Sequence, residues 1–314
     1  MKNCRHIRRV IVLLALILWN HVGGFSQVDS SYIELHKSEF IVKPYLYSNL
    51  LGLNLKESEQ DKEVNYRSNN PTGIGIGLAH PKLPFGVSIG WITGARSENK
   101  YVRTKSFDVL FNQYGRKYVL DIFYQQYKGL FSDSRNVLPI KVNCPDLSVF
   151  GTGIVGQYVF NGNKFSYQAA FDQNERQIKS AGSLLMGGAL HFIRLTADSS
   201  FKFDGQKKKS AYQAGVNVGY SYSWVPQKRW LFNGSITLGA NLVNNSIKSF
   251  FNRNLYVAPT ALARATICYN HEKWHAGMAF VTNYIELRDK TNAMVNLNYG
   301  RIYFFYVRKF SIQR

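Results

Sequence analysis

The sequence contains few cysteines, few prolines and few acidic residues. Its 314 residues include 3 Cys and 8 Pro, and Asp and Glu together number 19. So few cysteines exclude a disulfide-stapled scaffold. The low proline count, with no Ser/Gly-rich or acidic run, argues against an unstructured linker or a modular array. These absences indicate an ordered chain of one or two domains.

Long apolar runs are also scarce, because the single clear one covers only residues 10–19. A helix needs about 20 apolar residues to span a bilayer, so the sequence excludes a helical membrane protein. The run follows a basic segment, 1–9, and precedes Gly24-Phe25-Ser26. This order is typical of a secretory signal peptide. We predict a signal peptide over residues 1–26 and a single exported domain over 27–314.

The abundant feature is alternation with period two. Aromatic residues are frequent, with 21 Phe, 20 Tyr and 5 Trp, which favours strands. The alternating runs 211–225 and 229–243 are far longer than a soluble strand of about 5–6 residues, and a transmembrane strand needs about 9–11. Their polar faces carry Gln213, Asn217 and Asn241, which suit a lumen better than a sandwich core. The pattern predicts an all-β fold, a single antiparallel transmembrane β-barrel.

Connection lengths predict the number of strands. Short turns at 81–84, 113–117, 161–164, 226–229 and 270–273 alternate with longer connections at 50–71, 95–102, 130–147, 196–210, 244–256 and 288–298. Outer-membrane barrels place short turns in the periplasm and longer loops outside the cell. The alternation holds if residues 163–195 form one long, kinked strand. It then gives twelve strands, with ten to fourteen compatible.

Polar and aromatic residues can be assigned to the surfaces of such a barrel. Aromatic residues beside the short turns predict an interfacial girdle, formed by Trp224, Trp230, Tyr269 and Trp274, and Phe160 and Phe165 bracket 161–164 in the same way. The polar side chains expected to face the lumen are Asp108, Asp121, Gln125, Glu175, Arg176, Lys179, Gln213, Asn217 and Arg264. A charged network that plugs the lumen and a solute pathway are both compatible with this set.

The chain has an excess of basic residues, with 39 Lys and Arg and a formal charge of +20. Without the four cations of the signal peptide the charge falls to +16. Lys207, Lys208 and Lys209 lie in a predicted external loop, where lipopolysaccharide phosphates would be their partners. Nucleic-acid binding is not expected, since no basic groove studded with aromatic residues is present.

Three motifs resemble catalytic or metal-binding signatures without their structural context. Ser88 in the G-x-S-x-G of 86–90 lies within a strand rather than at a strand-to-helix turn. The G-x-G-x-x-G of 151–156 is followed by a strand, not by a phosphate-binding helix. His271 and His275 have helical zinc-site spacing but straddle a strand turn. We therefore expect no catalytic site, no metal and no cofactor.

Two stretches carry a family resemblance. The first contains YGRK at 114–117 and YQQYKG at 124–129, and the second begins with FSYQAAF at 165–171. In these stretches the chain resembles an uncharacterised Bacteroidota family known as domain of unknown function 4421. The resemblance implies an outer-membrane β-barrel and supplies no activity. Such barrels usually end on an aromatic residue, whereas Phe310 is followed here by four further residues.

Three functional hypotheses follow from these features. The first is a non-enzymatic outer-membrane barrel, acting as a narrow channel, an uptake component or a structural envelope protein. Its partners would be outer-membrane lipid, lipopolysaccharide and the barrel-assembly machinery, with the oligomeric state open. The second is a lipid hydrolase embedded in the barrel, for which His191 near the outer end is the residue to test. The third is a secreted β-sandwich adhesin.

The two cysteines of the mature chain are expected at opposite levels. Cys144 follows a strand in a long connection and should lie outside the outer leaflet, whereas Cys268 should lie at the periplasmic rim. The hydrocarbon core between these levels is about 30 Å thick, and a disulfide needs Cα atoms within about 7 Å. The two cysteines should therefore not pair.

Substitution by arginine tests the assignment of the two strand faces. Val218→Arg or Leu238→Arg should destabilise the barrel by roughly 2–4 kcal/mol, because the new charge meets lipid near the midplane. Asn217→Arg or Thr237→Arg should cost less if the lumen has room. The measurement is the urea midpoint of the folded barrel in lipid vesicles. An unchanged midpoint for Val218→Arg would contradict a lipid-facing position.

Overall fold

The computed structural model describes residues 28–35, 39–56, 63–69, 72–79, 87–94, 101–132, 142–197, 207–246, 255–288 and 294–311. The predicted signal peptide lies outside these residues. Within them, no helix has both the length and the apolar character needed to cross a bilayer.

The described chain consists almost entirely of strands, so the predicted all-β class is confirmed. Two single-turn helices interrupt them, a π-helical turn at Gln168–Asp172 and a 3-10 turn at Pro226–Lys228. The strands are β1 Ile33–Leu35, β2 Glu39–Lys56, β3 Glu63–Arg67, β4 Thr72–Ala79, β5 Val87–Gly94, β6 Lys105–Tyr114, β7 Tyr118–Ser132, β8 Val142–Val159, β9 Glu175–Gln177, β10 Ala181–Thr196, β11 Lys208–Trp224, β12 Trp230–Asn244, β13 Tyr256–Asn270, β14 Trp274–Arg288 and β15 Met294–Ser311.

Ten strands form a closed antiparallel ring, in the order β2-β3-β7-β8-β10-β11-β12-β13-β14-β15. The ring closes where β15 pairs with β2 over almost the full length of both strands, from Met294 opposite Lys56 to Ser311 opposite Glu39. Closure satisfies the backbone groups that an open sheet edge would leave unpaired in lipid. The predicted antiparallel transmembrane barrel is confirmed.

The strand count differs in an informative way from the expected twelve. Twelve described strands do contain eight or more residues. However, β4, β5 and β6 lie off the ring. The ring instead closes through the short strand β3, which pairs with β7 only at Tyr66 and Arg67. The ring of ten lies at the lower limit of the expected range.

The three extra strands leave a gap in one side of the wall. β4 pairs with β2 and β5 with β4, while β6 pairs with β7 along its whole length. Among the described residues no ladder joins β5 to β6. We call this space the wall gap. It lies in the half of the barrel that carries the short turns, here called the short-turn end, as opposed to the long-loop end.

The outer face of the barrel is apolar and exposed. Val216 is 68% exposed, Val218 52% and Leu238 59%, whereas the intervening Asn217 and Thr237 are only 8% and 4% exposed. A broad apolar outer belt suits lipid rather than water. The lumen behind this face is packed and leaves no room for an arginine side chain. Asn217→Arg and Thr237→Arg are therefore not expected to be milder than the substitutions on the outer face.

Aromatic rings line the outer face beside the short turns, in contact with one another. Trp224 lies 5.2 Å from Phe232, Trp230 5.0 Å from Tyr269, and Tyr269 5.7 Å from Trp274. Phe160 belongs to a similar group with Tyr158. Phe165 does not, because it is 1% exposed and packs inside the lumen.

The segment 160–180 is not part of one long strand, contrary to the prediction for 163–195. Only Ala181–Thr196 spans the wall. The preceding residues, here called the insert, fold into the short-turn end of the lumen, where β9 pairs with the N-terminal strand β1. The π-helical turn ends at Gln173, whose left-handed φ of 58° lets its amide donate back to the carbonyl of Gln168.

Two apolar clusters fill the lumen, one at each end. The short-turn cluster packs Phe165, Tyr167 and Phe171 of the insert against inward side chains such as Leu185 and Val307. The long-loop cluster is built from side chains of the wall itself, which are Leu51, Leu53, Tyr66, Phe123, Tyr127, Leu130, Cys144, Leu147, Val149, Ile193, Leu195, Ala197, Ala211, Val243, Ala258, Ile285, Leu287, Val295, Leu297 and Tyr299.

The two cysteines among the described residues, Cys144 and Cys268, occupy these two clusters and are both unpaired. Cys144 was expected in an exposed loop, but β8 already begins at Val142, so Cys144 points into the lumen and is 7% exposed. Cys268 lies in the short-turn cluster and is fully buried.

An impermeant maleimide added to intact cells should therefore leave Cys144 unmodified, because its thiol is packed among apolar side chains. Lys207→Cys, at an exposed position of the adjoining loop, provides the labelled control. The measurement is the mass of the purified chain after labelling. Modification of Cys144 at the rate of Lys207→Cys would contradict its place in the long-loop cluster.

Candidate functional site

A cavity of about 450 Å³, here called the central cavity, extends from the lumen into the wall gap. Its walls are mainly apolar and aromatic, the usual composition of a small-molecule site. The lining residues are Ile41, Lys43, Tyr45, Gly77, Leu78, Val109, Leu110, Phe111, Asn112, Tyr114, Asp121, Ile122, Phe123, Gln125, Val155, Phe171, Asp172, Asn174, Leu262, Arg264, Val281, Asn283, Tyr299, Gly300, Arg301 and Tyr303.

The insert forms the floor of the cavity and is fastened by charged groups. Lys43 of β2 donates from Nζ to the carbonyl of Phe171 at 2.9 Å and to Oε1 of Gln173 at 3.1 Å. Arg116, in the turn before β7, forms an ion pair with Glu175, which also accepts a 2.6 Å bond from Ser166. Burial raises the pKa of Glu175, and Arg116 opposes that rise.

Arg264 of β13 anchors one side of the cavity. Its guanidinium is ion-paired with Asp121 of β7 and lies over two aromatic rings, 5.9 Å from that of Tyr114 and 5.7 Å from that of Tyr167. Tyr167 donates or accepts a 2.7 Å bond with Ser235. A cation between two rings and a carboxylate is well compensated in a low-dielectric site. It links the insert to strands on opposite sides of the ring.

A second buried network lies on the wall where β2, β6 and β15 converge. Asp108 accepts from Nδ2 of Asn49 at 2.5 Å and from the hydroxyl of Tyr127 at 2.8 Å. Arg301 approaches the same carboxylate at 3.5 Å, donates to Asn49 at 2.7 Å and lies 4.5 Å from the ring centre of Tyr47. This network ties β6 to β2 from inside the lumen.

Asp172 is the acidic group that faces the cavity without an ion pair among the described residues. It ends the π-helical turn of the insert. Burial raises its pKa from 3.8 to about 7, and the neighbouring charges of Asp121 and Glu175 act in the same direction, while Lys43 opposes them. The carboxyl group is therefore partly protonated near neutral pH and can donate or accept a hydrogen bond.

The structure divides the nine residues expected in the lumen. Asp108, Asp121, Gln125, Gln213, Asn217 and Arg264 point inward from strands, and Glu175 belongs to the insert. Two lie elsewhere. Arg176 bonds to Glu34 at 3.3 Å and to the carbonyl of Lys228 at 2.8 Å at the rim. Lys179 is exposed, with its ammonium 5.3 Å from the ring centre of Tyr32.

His191 points into the lumen from the long-loop half of β10, next to the long-loop cluster. It is 7% exposed and is surrounded by Asn241, 3.4 Å from its Nδ1, and by the ring of Phe123. Asn241 donates in turn to Gln213 at 3.0 Å. Amides, not a nucleophile and a carboxylate, are the described polar neighbours of this imidazole, which weakens the hydrolase hypothesis.

The three lysines assigned to anionic lipid do not share one environment. β11 begins at Lys208, so the alternation of the strand turns Lys209 inward, where it is 8% exposed. Lys208 remains exposed on the outer face, and Lys207 is exposed just before the strand. Arg194 lies on the same outer face of β10, opposite Ser210 of β11, with its guanidinium 5.1 Å from the ring centre of Phe192.

Lys43 and Arg301, which hold the insert and the second network, were not among the residues expected from the sequence. The sequence did carry a signal, since Lys43 has the same alternating position as Tyr45, Tyr47 and Asn49, which share the inward face of β2.

The three motifs that resemble catalytic or metal-binding signatures lie in strands or beside a strand turn. Residues 151–156 are part of β8 and Ser88 is part of β5, while His271 stacks on Trp274 and His275 is buried. No metal-binding group of three or more His, Cys, Asp or Glu occurs among the described residues.

Fold and site together define a transmembrane β-barrel whose lumen is filled at both ends, with a cavity between them beside the wall gap. The chain belongs to the family Domain of unknown function (DUF4421), whose profile matches residues 27–310. A comparison with curated proteins found no significant match.

Solved structures with a similar course of the chain include several outer-membrane barrels. The outer membrane protease OmpT from Escherichia coli has a TM-score of 0.39 at 7% identity and covers 87% of this chain and 97% of its own. OprG from Pseudomonas aeruginosa gives 0.26 at 8%, covering 88% and 99%. A Pseudomonas aeruginosa FadL homologue gives 0.30 at 7%, covering 88% and 91%. These TM-scores are too low to bear on lumen contents or activity.

The pKa of Asp172 predicts how firmly the insert is seated as pH changes. The seated carboxyl group binds a proton below about pH 7, whereas a solvated one does so only below about 4. Between these pH values the carboxyl group loses a proton when the insert is released. The free energy that holds the insert in place therefore falls as pH rises from about 4 to 7, and it is constant above pH 7.

Reactivity of a buried probe thiol measures this effect. The thiol of Ala170→Cys, fully buried on the insert, should react with a maleimide faster as pH rises, by up to about tenfold per pH unit between about 4 and 7. Dividing each rate by that of the same probe with Asp172→Asn removes the pH dependence of the thiol itself. A ratio that stays constant with pH would contradict the prediction.

Proposed function

We propose that this chain is a non-enzymatic barrel of the bacterial outer membrane, closed at rest, that takes up a small, mainly apolar molecule into its central cavity. It is exported with a cleaved signal peptide, with the long loops facing outward. This is the uptake component among the alternatives set out from the sequence, in preference to an open narrow channel or a purely structural protein.

One observation carries the proposal, namely the position of the cavity between two packed clusters. A water-filled pore needs a continuous polar path, and here apolar side chains fill the lumen at both levels. A purely structural barrel needs no internal space, yet a cavity of about 450 Å³ extends into the lumen beside side chains such as Leu110, Phe123 and Tyr303. Cavities of this size with a few polar groups are typical ligand sites.

Anionic lipid is the proposed partner of the outer surface. Arg194, Lys208 and Lys128 lie on the outer face at the long-loop end, above a group of contacting aromatic rings that includes Phe150, Phe192 and Tyr212. Rings suit the headgroup depth and cations suit phosphate. Lipopolysaccharide on this face and the assembly machinery during insertion are the expected contacts.

Conductance in planar bilayers distinguishes a closed barrel from a channel. The wild-type protein should show no stable current steps. A variant with a loosened insert, Lys43→Gln with Arg116→Gln, should also stay closed, because the long-loop cluster still fills the opposite end. Stable steps from the wild-type protein would contradict a barrel closed at rest.

Ligand occupancy tests the cavity itself, with 1-tetradecanol as an uncharged apolar probe. Native mass spectrometry of the detergent-purified barrel should show one bound molecule. Leu110→Trp, which projects into the cavity from β6, should reduce the occupancy about tenfold or more, corresponding to a loss of about 1.4 kcal/mol. Phe107→Trp, on the outer face of the same strand, is the matched control. Equal occupancy in wild-type and Leu110→Trp barrels would place the probe elsewhere.

A further inference from the structure

We propose that the ligand is an uncharged amphiphile dissolved in the membrane, and that it reaches the central cavity sideways, through the wall gap between β5 and β6. This inference rests on the proposed function, and it adds the route of access and the class of molecule.

The cavity reaches both sides of the wall at β6. Leu110 and Asn112 face inward with Phe123 and Asp121, their partners on β7, whereas Val109 and Phe111 face outward. All four residues of β6 line the same cavity. A cavity confined to the lumen would meet only the inward set, so this one passes around the free edge of β6.

The opposite side of the opening shows the same feature. On β4, Gly77 faces inward and Leu78 outward, and both line the cavity. The rim that faces the lipid is apolar, since Leu78 is 43% exposed, Val109 51% and Phe111 39%. An apolar chain can therefore move from the bilayer to the cavity without leaving an apolar environment.

The charges at the site favour an uncharged molecule with one polar end. Arg264 is paired with Asp121 and Arg301 with Asp108, and Lys43 is engaged by the insert. A buried anion would need a free cation as its partner, and none of these three cations is free. The positive charge of Lys43 beside Asp172 opposes a cationic ligand. The carboxyl group of Asp172 remains to exchange a hydrogen bond with a hydroxyl end group.

The wall gap also has a closed alternative. Unpaired strand edges are costly in hydrocarbon, and β5 and β6 follow one another in the chain in antiparallel directions. If their edges pair, the barrel closes through β4, β5 and β6 as a ring of twelve long strands. Ile89 and Val109, both exposed on the outer face at 55% and 51%, then lie on the same side of adjoining edges.

Cross-linking of that pair tests the route. In a background of Cys144→Ala and Cys268→Ala, Ile89→Cys with Val109→Cys is joined by a short bifunctional thiol reagent in nanodiscs, before 1-tetradecanol is added. Binding should be slowed at least tenfold by the cross-link and restored by its reduction. The matched control joins Val109→Cys to Tyr124→Cys, which already face each other on β6 and β7, and it should leave binding unchanged.

The outcomes separate the route from the proposed function. Unimpaired binding by the barrel cross-linked between β5 and β6 overturns access through the wall gap and leaves the internal site standing. Absence of saturable binding to the wild-type barrel overturns both. Stronger binding of tetradecanoate than of 1-tetradecanol overturns the assignment to an uncharged amphiphile alone.

Discussion

Within a membrane every backbone N–H and C=O must find its partner inside the protein, and this constraint determines the rest of the structure. It explains why β15 returns to β2 over almost the whole height of the wall. It also explains why a strand as short as β3 matters, since its two pairs with β7 complete the ring. The edges of β5 and β6 are where the constraint is relaxed among the described strands, and the cavity opens there.

Closure imposes a second requirement, because a ring of ten strands has a bore that side chains must fill. Glycines on the inward face of β4 make room for large rings from β2. A Cβ on Gly75 would lie 2.2 Å from the ring of Tyr45, and one on Gly73 2.5 Å from that of Tyr47. The alternation of glycine with Ile74, Ile76 and Leu78 thus has a packing origin as well as a lipid-facing one. Where wall side chains do not suffice, the insert fills the space.

Period-two alternation predicted the fold because it is local, and it located most inward residues for the same reason. Its failures are non-local. Phe165, Tyr167, Ala169 and Phe171 alternate like a strand, yet they turn into the lumen because charged partners from β2 and from the turn before β7 hold them there. Two strands also begin earlier than expected, so that Cys144 lies inside β8 and Lys209 points inward from β11. The wall gap depends on which edges pair, and a single strand carries no signal of that choice.

The contacts of the insert and those of β6 determine whether a ligand reaches the cavity through the end of the barrel or through its wall. The insert is held by the ion pair of Arg116 with Glu175, by two bonds from Lys43 and by apolar packing. Hydrogen bonds to charged groups contribute about 1.5–3 kcal/mol each, so releasing the insert costs several times that amount. β6 has no ladder to break on the side of β5, and it is held in the wall by its ladder to β7, by the contacts of Asp108 and by the packing of Tyr114 against Tyr167 of the insert. Access from the side therefore requires no release of the insert, and it leaves both end clusters intact.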